Sequence, residues 1–221
     1  VLDNAMFHNV FAQQAAALAD AGVDLLILET FSSIQEMKLA VQGVQSVSDL
    51  PIVAQMTFTD EAMTPAGETP EEVVAALELM GVAALGGNCS VGPELFLQVM
   101  ERMAAIAQLP LVAQPNAGFP LYQEGKLSYS AGPEYMADRS RRMAEVGATI
   151  FGGCCGTTPE HIAAIRNAVL KLKPSRKSFP KVSVPRVKEN SNEVPAPDST
   201  GLAEKIRNGK FGNCTKISQM S

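Results

Sequence analysis

The feature that most constrains the fold is a regular alternation between short apolar runs and longer segments with helical periodicity. Five apolar runs read as strands, at 23–31, 51–58, 82–90, 110–118 and 148–155. Helical segments at 11–22, 32–45, 70–81, 93–108, 133–147 and 159–172 precede, separate and follow them. Strands that are apolar on both faces and joined by helices are typical of a buried parallel sheet. The alternation therefore predicts an α/β fold with five βα units.

Polar or reactive residues stand at the C-terminal ends of successive predicted strands. They are Glu29, Thr57, Cys89, Asn116, Cys154 and Cys155. In a closed barrel the carboxyl ends of all strands meet at one mouth, so the pattern favours a (β/α)8 TIM barrel over an open sheet. Since five units fall short of eight, we expect the chain to hold the C-terminal five βα units, with the N-terminal part of the barrel missing.

The remainder of the chain differs in composition from residues 1–172, which we assign to the barrel domain. Residues 173–200 contain five prolines and scattered charges without an apolar period, which predicts a disordered linker. Residues 201–221 are expected to begin a further segment. Cys214 lies there without an acidic or histidine neighbour, so we expect it to be a bystander.

Charge and cysteine usage narrow the function. A net charge of −5 and a pI near 5.1 disfavour binding to nucleic acid or to membrane surfaces and favour a small-molecule substrate. No apolar run reaches the roughly 18 residues of a membrane span, and the first residues do not resemble a signal peptide. We therefore expect a cytoplasmic protein. In that compartment four cysteines suggest reduced thiols used for metal binding or chemistry rather than disulfides.

Three of the cysteines are predicted to meet at the rim of the barrel. Cys89 ends one strand, and Cys154 and Cys155 end another two βα units later. Like-charged thiolates converge on one point only when a cation holds them, and zinc is the natural candidate. Three protein ligands leave one tetrahedral position free, which is typical of a catalytic zinc site.

The adjacency of Cys154 and Cys155 raises a geometric objection, because consecutive strand residues point to opposite faces. Gly152, Gly153 and Gly156 answer it, since glycines allow the backbone to leave the β region so that both sulfurs turn to one side. Two alternatives stay open: one thiol is buried in the core, or the pair forms a strained vicinal disulfide.

Three separated motifs carry a family resemblance. In order along the chain they are GGNCSVGPE, PNAGFP and GGCCGTTPEHI. Together they resemble the homocysteine-binding domain of zinc-dependent homocysteine S-methyltransferases, most of all the methionine synthase type. The resemblance runs from about residue 1 to residue 172 and implies a TIM barrel. It also implies transfer of a methyl group to the thiol of homocysteine, giving methionine.

The resemblance assigns roles to individual residues. It implies that Cys89, Cys154 and Cys155 bind Zn²⁺ and that the sulfur of homocysteine occupies the fourth place. By the same resemblance Glu29 contacts the amino group of homocysteine, and Asn116 lies beside the metal. The implied methyl donor is methylcobalamin, and ultimately methyltetrahydrofolate, bound elsewhere by a cobalamin- or folate-binding domain or protein. We expect this chain alone to be inactive, because the family's glycine-rich first strand is missing.

Other interpretations remain open from the sequence. Residues 201–221 resemble the opening of methylenetetrahydrofolate reductases but depart from the expected apolar strand. The donor could instead be betaine or S-methylmethionine, or the chain could be a non-catalytic zinc- or thiol-binding module. A role for Glu29 at the N-terminus of the next helix is the alternative to substrate binding. Asn88 is expected to hydrogen-bond its own turn, and His161 to lie on a solvated helix face.

Overall fold

The structure is a computed structural model, and it describes residues 3–123 and 125–172. The described residues form six α-helices: α1 Asn4–Asp20, α2 Ile34–Gln45, α3 Pro70–Leu79, α4 Pro93–Ile106, α5 Pro133–Val146 and α6 Pro159–Val169. Each corresponds to one of the six predicted helical segments. The predicted linker at 173–200 and the segment at 201–221, which includes Cys214, lie outside the described residues.

The five predicted strands form one parallel sheet. They are β1 Leu26–Phe31, β2 Ile52–Met56, β3 Ala84–Asn88, β4 Leu111–Gln114 and β7 Ala148–Phe151. Their order across the sheet is β1-β2-β3-β4-β7, so each strand lies beside the one that precedes it among these five. All four pairings are parallel. The α/β prediction is confirmed, and the sheet is consistent with part of a TIM barrel.

A small hairpin lies between β4 and α5 and was not predicted. Its strands, β5 Pro120–Gln123 and β6 Lys126–Tyr129, pair antiparallel as a separate two-stranded sheet. Most of β6 is exposed. Because the hairpin buries little apolar surface, it leaves no hydrophobic period in the sequence by which it could be found.

The two faces of the parallel sheet carry apolar clusters of different size. The face that packs on the helices carries the main core, including Leu28, Met56 and Leu85, all completely buried. The opposite face carries a small apolar cluster of Val53, Ala84 and Val112. Successive strand residues alternate between faces, so Glu29 and Gln55 lie on this second face. The second face and the carboxyl ends of its strands are therefore where polar side chains gather.

Two helices begin at a Thr-Pro pair. Thr69 precedes α3 and Thr158 precedes α6, and in both helices proline occupies the first turn. The residue at the third helical position bonds back to the cap in each case: Glu72 in α3 and His161 in α6. Within the described residues, none of the helices combines the length and apolar character that a bilayer crossing requires.

Candidate metal centre

The structure brings the three predicted cysteines together at the carboxyl edge of the parallel sheet. Cys89 directly follows β3, whereas Cys154 and Cys155 follow β7 after two glycines. Their three sulfur atoms all lie within 4.8 Å of one another. The Sγ atoms of Cys89 and Cys155 are 3.7 Å apart. Strands β3 and β7 are separated in the sheet only by β4, which explains why their ends approach so closely.

The spacing of these sulfurs fits a zinc ion. A tetrahedral zinc with bonds of about 2.3 Å to sulfur holds its sulfur ligands about 3.8 Å from one another. The distance of 3.7 Å between Cys89 and Cys155 agrees with that value. Cys155 is exposed, while Cys89 and Cys154 are partly buried. Three thiol donors with one open side suit a metal that also binds a ligand from solution.

The end of β4 and the loop after it hold the backbone of all three cysteines. Each cysteine N–H donates to one of three consecutive residues there: Cys89 to Gln114 O at 3.2 Å, Cys154 to Pro115 O at 2.9 Å, and Cys155 to Asn116 Oδ1 at 3.0 Å. The N–H of Asn116 donates in turn to Val91 O at 3.2 Å, in the segment that follows Cys89. The two cysteine segments are therefore aligned on one common template.

Cys89 and Ser90 both adopt the left-handed conformation, with φ of 64° and 57°. This conformation costs a non-glycine residue about 1 kcal/mol or more. It is held by a bond from Val91 N–H to Cys89 O at 2.8 Å and by a short hydroxyl contact of 2.5 Å between Thr57 and Ser90. The abrupt change of direction ends β3 and turns the Cys89 sulfur toward β7. Strained backbone of this kind is common at functional sites.

The glycines around Cys154 and Cys155 act partly as predicted. Gly156 has a φ of 78°, which favours glycine, and it follows the cysteine pair directly. Gly152 and Gly153 do not have positive φ, so the expected reason does not apply to them. A Cβ on Gly152 would lie 2.8 Å from the Gln114 amide, and one on Gly153 only 2.2 Å from the hydroxyl of the neighbouring Thr157. These two positions exclude side chains because the turn is crowded.

The cysteine pair lies in a turn rather than in a strand. Strand β7 ends at Phe151, and Thr157 N–H donates to Cys154 O at 3.2 Å. The alternation of side chains along a strand does not apply in a turn, so both sulfurs can face Cys89. The structure thereby resolves the geometric objection that the adjacent cysteines raise.

Asn116, predicted to lie beside the metal, is buried next to the cluster with 5% of its surface exposed. Its side-chain oxygen accepts the N–H of Cys155, and its backbone contacts the Cys89 segment. In this structure Asn116 therefore aligns the two cysteine segments.

Asn88 forms hydrogen bonds beyond its own turn, which was not expected. Its Oδ1 accepts the N–H of Thr30 at 2.8 Å, and its Nδ2 donates to the Thr30 hydroxyl at 2.7 Å. The same Nδ2 lies 3.7 Å from the sulfur of Cys154. Asn88 thus connects β1 with a sulfur from the far side of the sheet, instead of bonding only its own turn. The one sequence feature that could have indicated these contacts is the position of Asn88 directly before Cys89 at the end of a strand.

Glu29 lies on the second face of the sheet with 9% of its surface exposed. The register of β1 against β2 is irregular between Leu28 and Phe31, opposite Gln55, and Thr30 has a φ of 66°. Such a bulge re-aims the side chains beside it. The N–H of Ile34, at the start of α2, bonds to Glu68 at 2.9 Å. A carboxylate other than Glu29, that of Glu68, therefore accepts the first N–H of α2.

The prediction for His161 is wrong. Its side chain is buried, with 8% exposed, because the third position of α6 faces the segment that follows the hairpin. Both ring nitrogens are hydrogen-bonded, Nδ1 to Thr158 and Nε2 to the carbonyl of Ala131. The sequence pattern places a histidine at the third helical position on the exposed side of the helix. Nothing in the sequence therefore predicts the contact between His161 and Ala131.

The environment of Cys89 favours its thiolate. The pKa of the Cys89 thiol is lowered to about 7, chiefly because the thiol of Cys154 hydrogen-bonds to it. The backbone of Ser90 contributes in the same direction, whereas burial and the neighbouring Cys155 oppose the shift. A cysteine with a lowered pKa is a better metal ligand at neutral pH, because the thiolate is the form that coordinates.

The fold and the site together define a class: a parallel α/β protein with a cluster of three thiols at the carboxyl edge of its sheet. Comparison with known proteins specifies it further. The sequence profile of the family described as homocysteine S-methyltransferase matches residues 2–169. The chain therefore belongs to the homocysteine S-methyltransferase family, as its motifs suggest.

Individual relatives agree with this assignment. The methionine synthases of Mycobacterium tuberculosis and Mycobacterium leprae are each 29% identical, over 76% and 74% of this chain. The homocysteine methyltransferase MmuM from Escherichia coli is 28% identical in its apo form, with a TM-score of 0.63 over 76% of this chain. The metallated form of MmuM matches with a TM-score of 0.56. The chain spans about 15% of the length of those methionine synthases and 58% of the apo MmuM chain.

The lowered pKa of Cys89 can be measured by alkylation. In reduced, metal-free protein we expect the rate of Cys89 alkylation by iodoacetamide to rise with pH to a midpoint of about 7, because thiolate forms above the pKa. In Cys154→Ala the midpoint should move upward, since the donor to the Cys89 sulfur is gone. Peptide mass spectrometry separates the three sites. An unshifted midpoint near 9.0 in the unmutated protein would contradict the assignment.

Proposed function

We propose that this chain is the zinc- and homocysteine-binding part of an enzyme that transfers a methyl group to the thiol of homocysteine, giving methionine. The observation that carries the proposal is the convergence of three cysteine sulfurs within 4.8 Å in a chain of this family. Cys89, Cys154 and Cys155 are proposed as the zinc ligands. We place the protein in the cytoplasm, where these thiols stay reduced.

The three cysteines suit activation of a thiol. A zinc ion held by Cys89, Cys154 and Cys155 would supply a cationic centre that lowers the pKa of a bound thiol, so that homocysteine would be held as a thiolate at neutral pH. Three cysteinate ligands carry more negative charge than the ion's +2, so they leave a further sulfur ligand electron-rich, whereas neutral histidines would withdraw density from it. The exposed side of the cluster, at Cys155, is where substrate would approach.

Glu29 is proposed to bind the ammonium group of homocysteine. It lies on the second face of the sheet, below the carboxyl edge at which the sulfurs gather. A largely buried carboxylate is stabilised by a cationic partner, which a substrate ammonium would provide. Anchoring the amino group deep in the site and the sulfur at its rim would orient homocysteine for attack on the methyl carbon.

The methyl donor is proposed to be methylcobalamin, supplied ultimately by methyltetrahydrofolate. The motifs PNAGFP and GTTPEHI, which resemble the methionine synthase type, support this choice over betaine or S-methylmethionine, and two mycobacterial methionine synthases are among the relatives. Since the chain spans about 15% of their length, a cobalamin- or folate-binding domain or protein is the proposed partner. The residues of this chain would then bind and orient the acceptor.

Zinc content tests the ligand set. We expect the intact, reduced protein to hold about one zinc per chain after dialysis, and Cys89→Ala to lose most of it, because two thiols rarely retain zinc. Methionine formation by the full-length protein, assayed with each candidate donor, should fall together with its zinc content. Cys214→Ala is the matched control and should keep both. Zinc-loaded full-length protein that binds homocysteine but forms no methionine with any donor would instead identify a non-catalytic zinc- and thiol-binding module.

The role of Glu29 is tested with a ligand that lacks the amino group. We expect Glu29→Gln to weaken homocysteine binding by about 10- to 100-fold, since a hydrogen bond to a charged group contributes about 1.5–3 kcal/mol. Binding of 4-sulfanylbutanoate, which has the thiol and carboxylate but no ammonium, should change little. Calorimetry on zinc-loaded protein measures both affinities. An equal loss for the two ligands would mean that Glu29 acts on the fold and not on the amino group.

A further inference from the structure

His161 bonds to two different segments through its two ring nitrogens. Nδ1 lies 3.2 Å from the backbone nitrogen of Thr158, and Nε2 lies 3.0 Å from the carbonyl oxygen of Ala131. A carbonyl oxygen can only accept a hydrogen bond, so Nε2 carries a proton and donates it to Ala131, while Nδ1 also lies 2.9 Å from the Thr158 hydroxyl. His161 therefore joins the start of α6 to the segment after the hairpin.

These bonds continue through the backbone to a proposed zinc ligand. Ala131 N–H donates to Ala117 O at 2.9 Å, and Ala117 N–H donates to Cys155 O at 2.9 Å. Thr158, at the other end of the path, is only three residues beyond Cys155. The bonds thus form a closed ring that passes through His161, Ala131, Ala117 and Cys155 and returns along the chain to Thr158.

The closed ring of hydrogen bonds encloses the exit of the cysteine turn. Cys154 and Cys155 are held at the entry of the turn by the β4 loop, but Gly156 follows them in the left-handed region. The ring of Tyr129 packs against Gly156, where an added Cβ would lie 2.2 Å from its Cγ. Tyr129 from the hairpin and His161 from α6 thus both contact the residues at this exit.

We propose that His161 is a positioning residue for the metal centre, which fixes the exit of the cysteine turn to the segment that follows the hairpin and so sets the orientation of the Cys155 sulfur. This inference rests on the proposed zinc function. Residues that hold metal ligands without touching the metal commonly change metal affinity by about 10- to 100-fold when they are altered. His161 does not touch the sulfurs and acts through Thr158 and Ala131.

The competing explanation is that His161 serves only as the cap of α6. The usual residues at this helical position are glutamate and glutamine, which accept the N–H of the cap. Either would satisfy Thr158, but only glutamine also carries an N–H that can bond to the Ala131 carbonyl. Glutamate and glutamine have nearly the same shape, and both can cap α6. The variants His161→Glu and His161→Gln therefore differ in the bond to the Ala131 carbonyl, on which the proposal depends.

Zinc affinity, measured by competition with a chromophoric chelator, tests the proposal in the intact protein. We expect His161→Gln to stay near the unmutated affinity and His161→Glu to weaken it by about 10- to 100-fold. The added negative charge of glutamate would by itself attract the cation, so a loss cannot be ascribed to charge. Denaturation of the metal-free variants shows whether both are folded, as equal capping predicts.

Each outcome decides between the two explanations. Equal zinc affinities for His161→Glu and His161→Gln would overturn the role of His161 and leave the proposed zinc function standing. An unmutated protein that binds no zinc would overturn both. A weaker affinity in His161→Glu alone, with both variants equally stable, supports the positioning role.

Discussion

The site depends on one geometric constraint, the alignment of the carboxyl ends of β3, β4 and β7 at one edge of a parallel sheet. Because β4 lies between the two strands that carry cysteines, its loop is within hydrogen-bond reach of both. Three consecutive residues at the end of β4 and in its loop, Gln114 to Asn116, accept the N–H groups of the three cysteines. Sulfurs that are far apart in sequence are thereby placed within 4.8 Å, and a bound metal would cross-link an arrangement that the backbone already supports.

The cluster is asymmetric, and the asymmetry suits a site that receives a ligand. Cys154 is contacted by Asn88, which is itself anchored to Thr30 on β1, and Cys89 is held by a strained turn. Cys155 is the exposed member and is fixed mainly through its backbone. A rigid inner pair and an accessible outer sulfur leave one side of the cluster open. The contacts of His161 act on the turn that carries this outer member.

Much of this arrangement could be predicted from sequence because it is periodic or chemically conspicuous. Buried parallel strands are apolar on both faces, so their boundaries were found to within a few residues, and cysteines at strand ends are rare enough to indicate a metal. The hairpin at 120–129 was missed because its exposed strands have no apolar period. The contacts of Asn88 and His161 were missed because both join segments distant in sequence, which local pattern does not encode. Gly152 and Gly153 were recognised as important, but the reason, crowding by Gln114 and Thr157, requires coordinates.

X-ray absorption at the zinc edge of the intact protein tests the central claim most directly. The account predicts three sulfur neighbours at about 2.3 Å and one lighter neighbour in the absence of substrate, with a fourth sulfur replacing the lighter atom when homocysteine is added. A spectrum with fewer than three sulfurs, or one that homocysteine leaves unchanged, would contradict it.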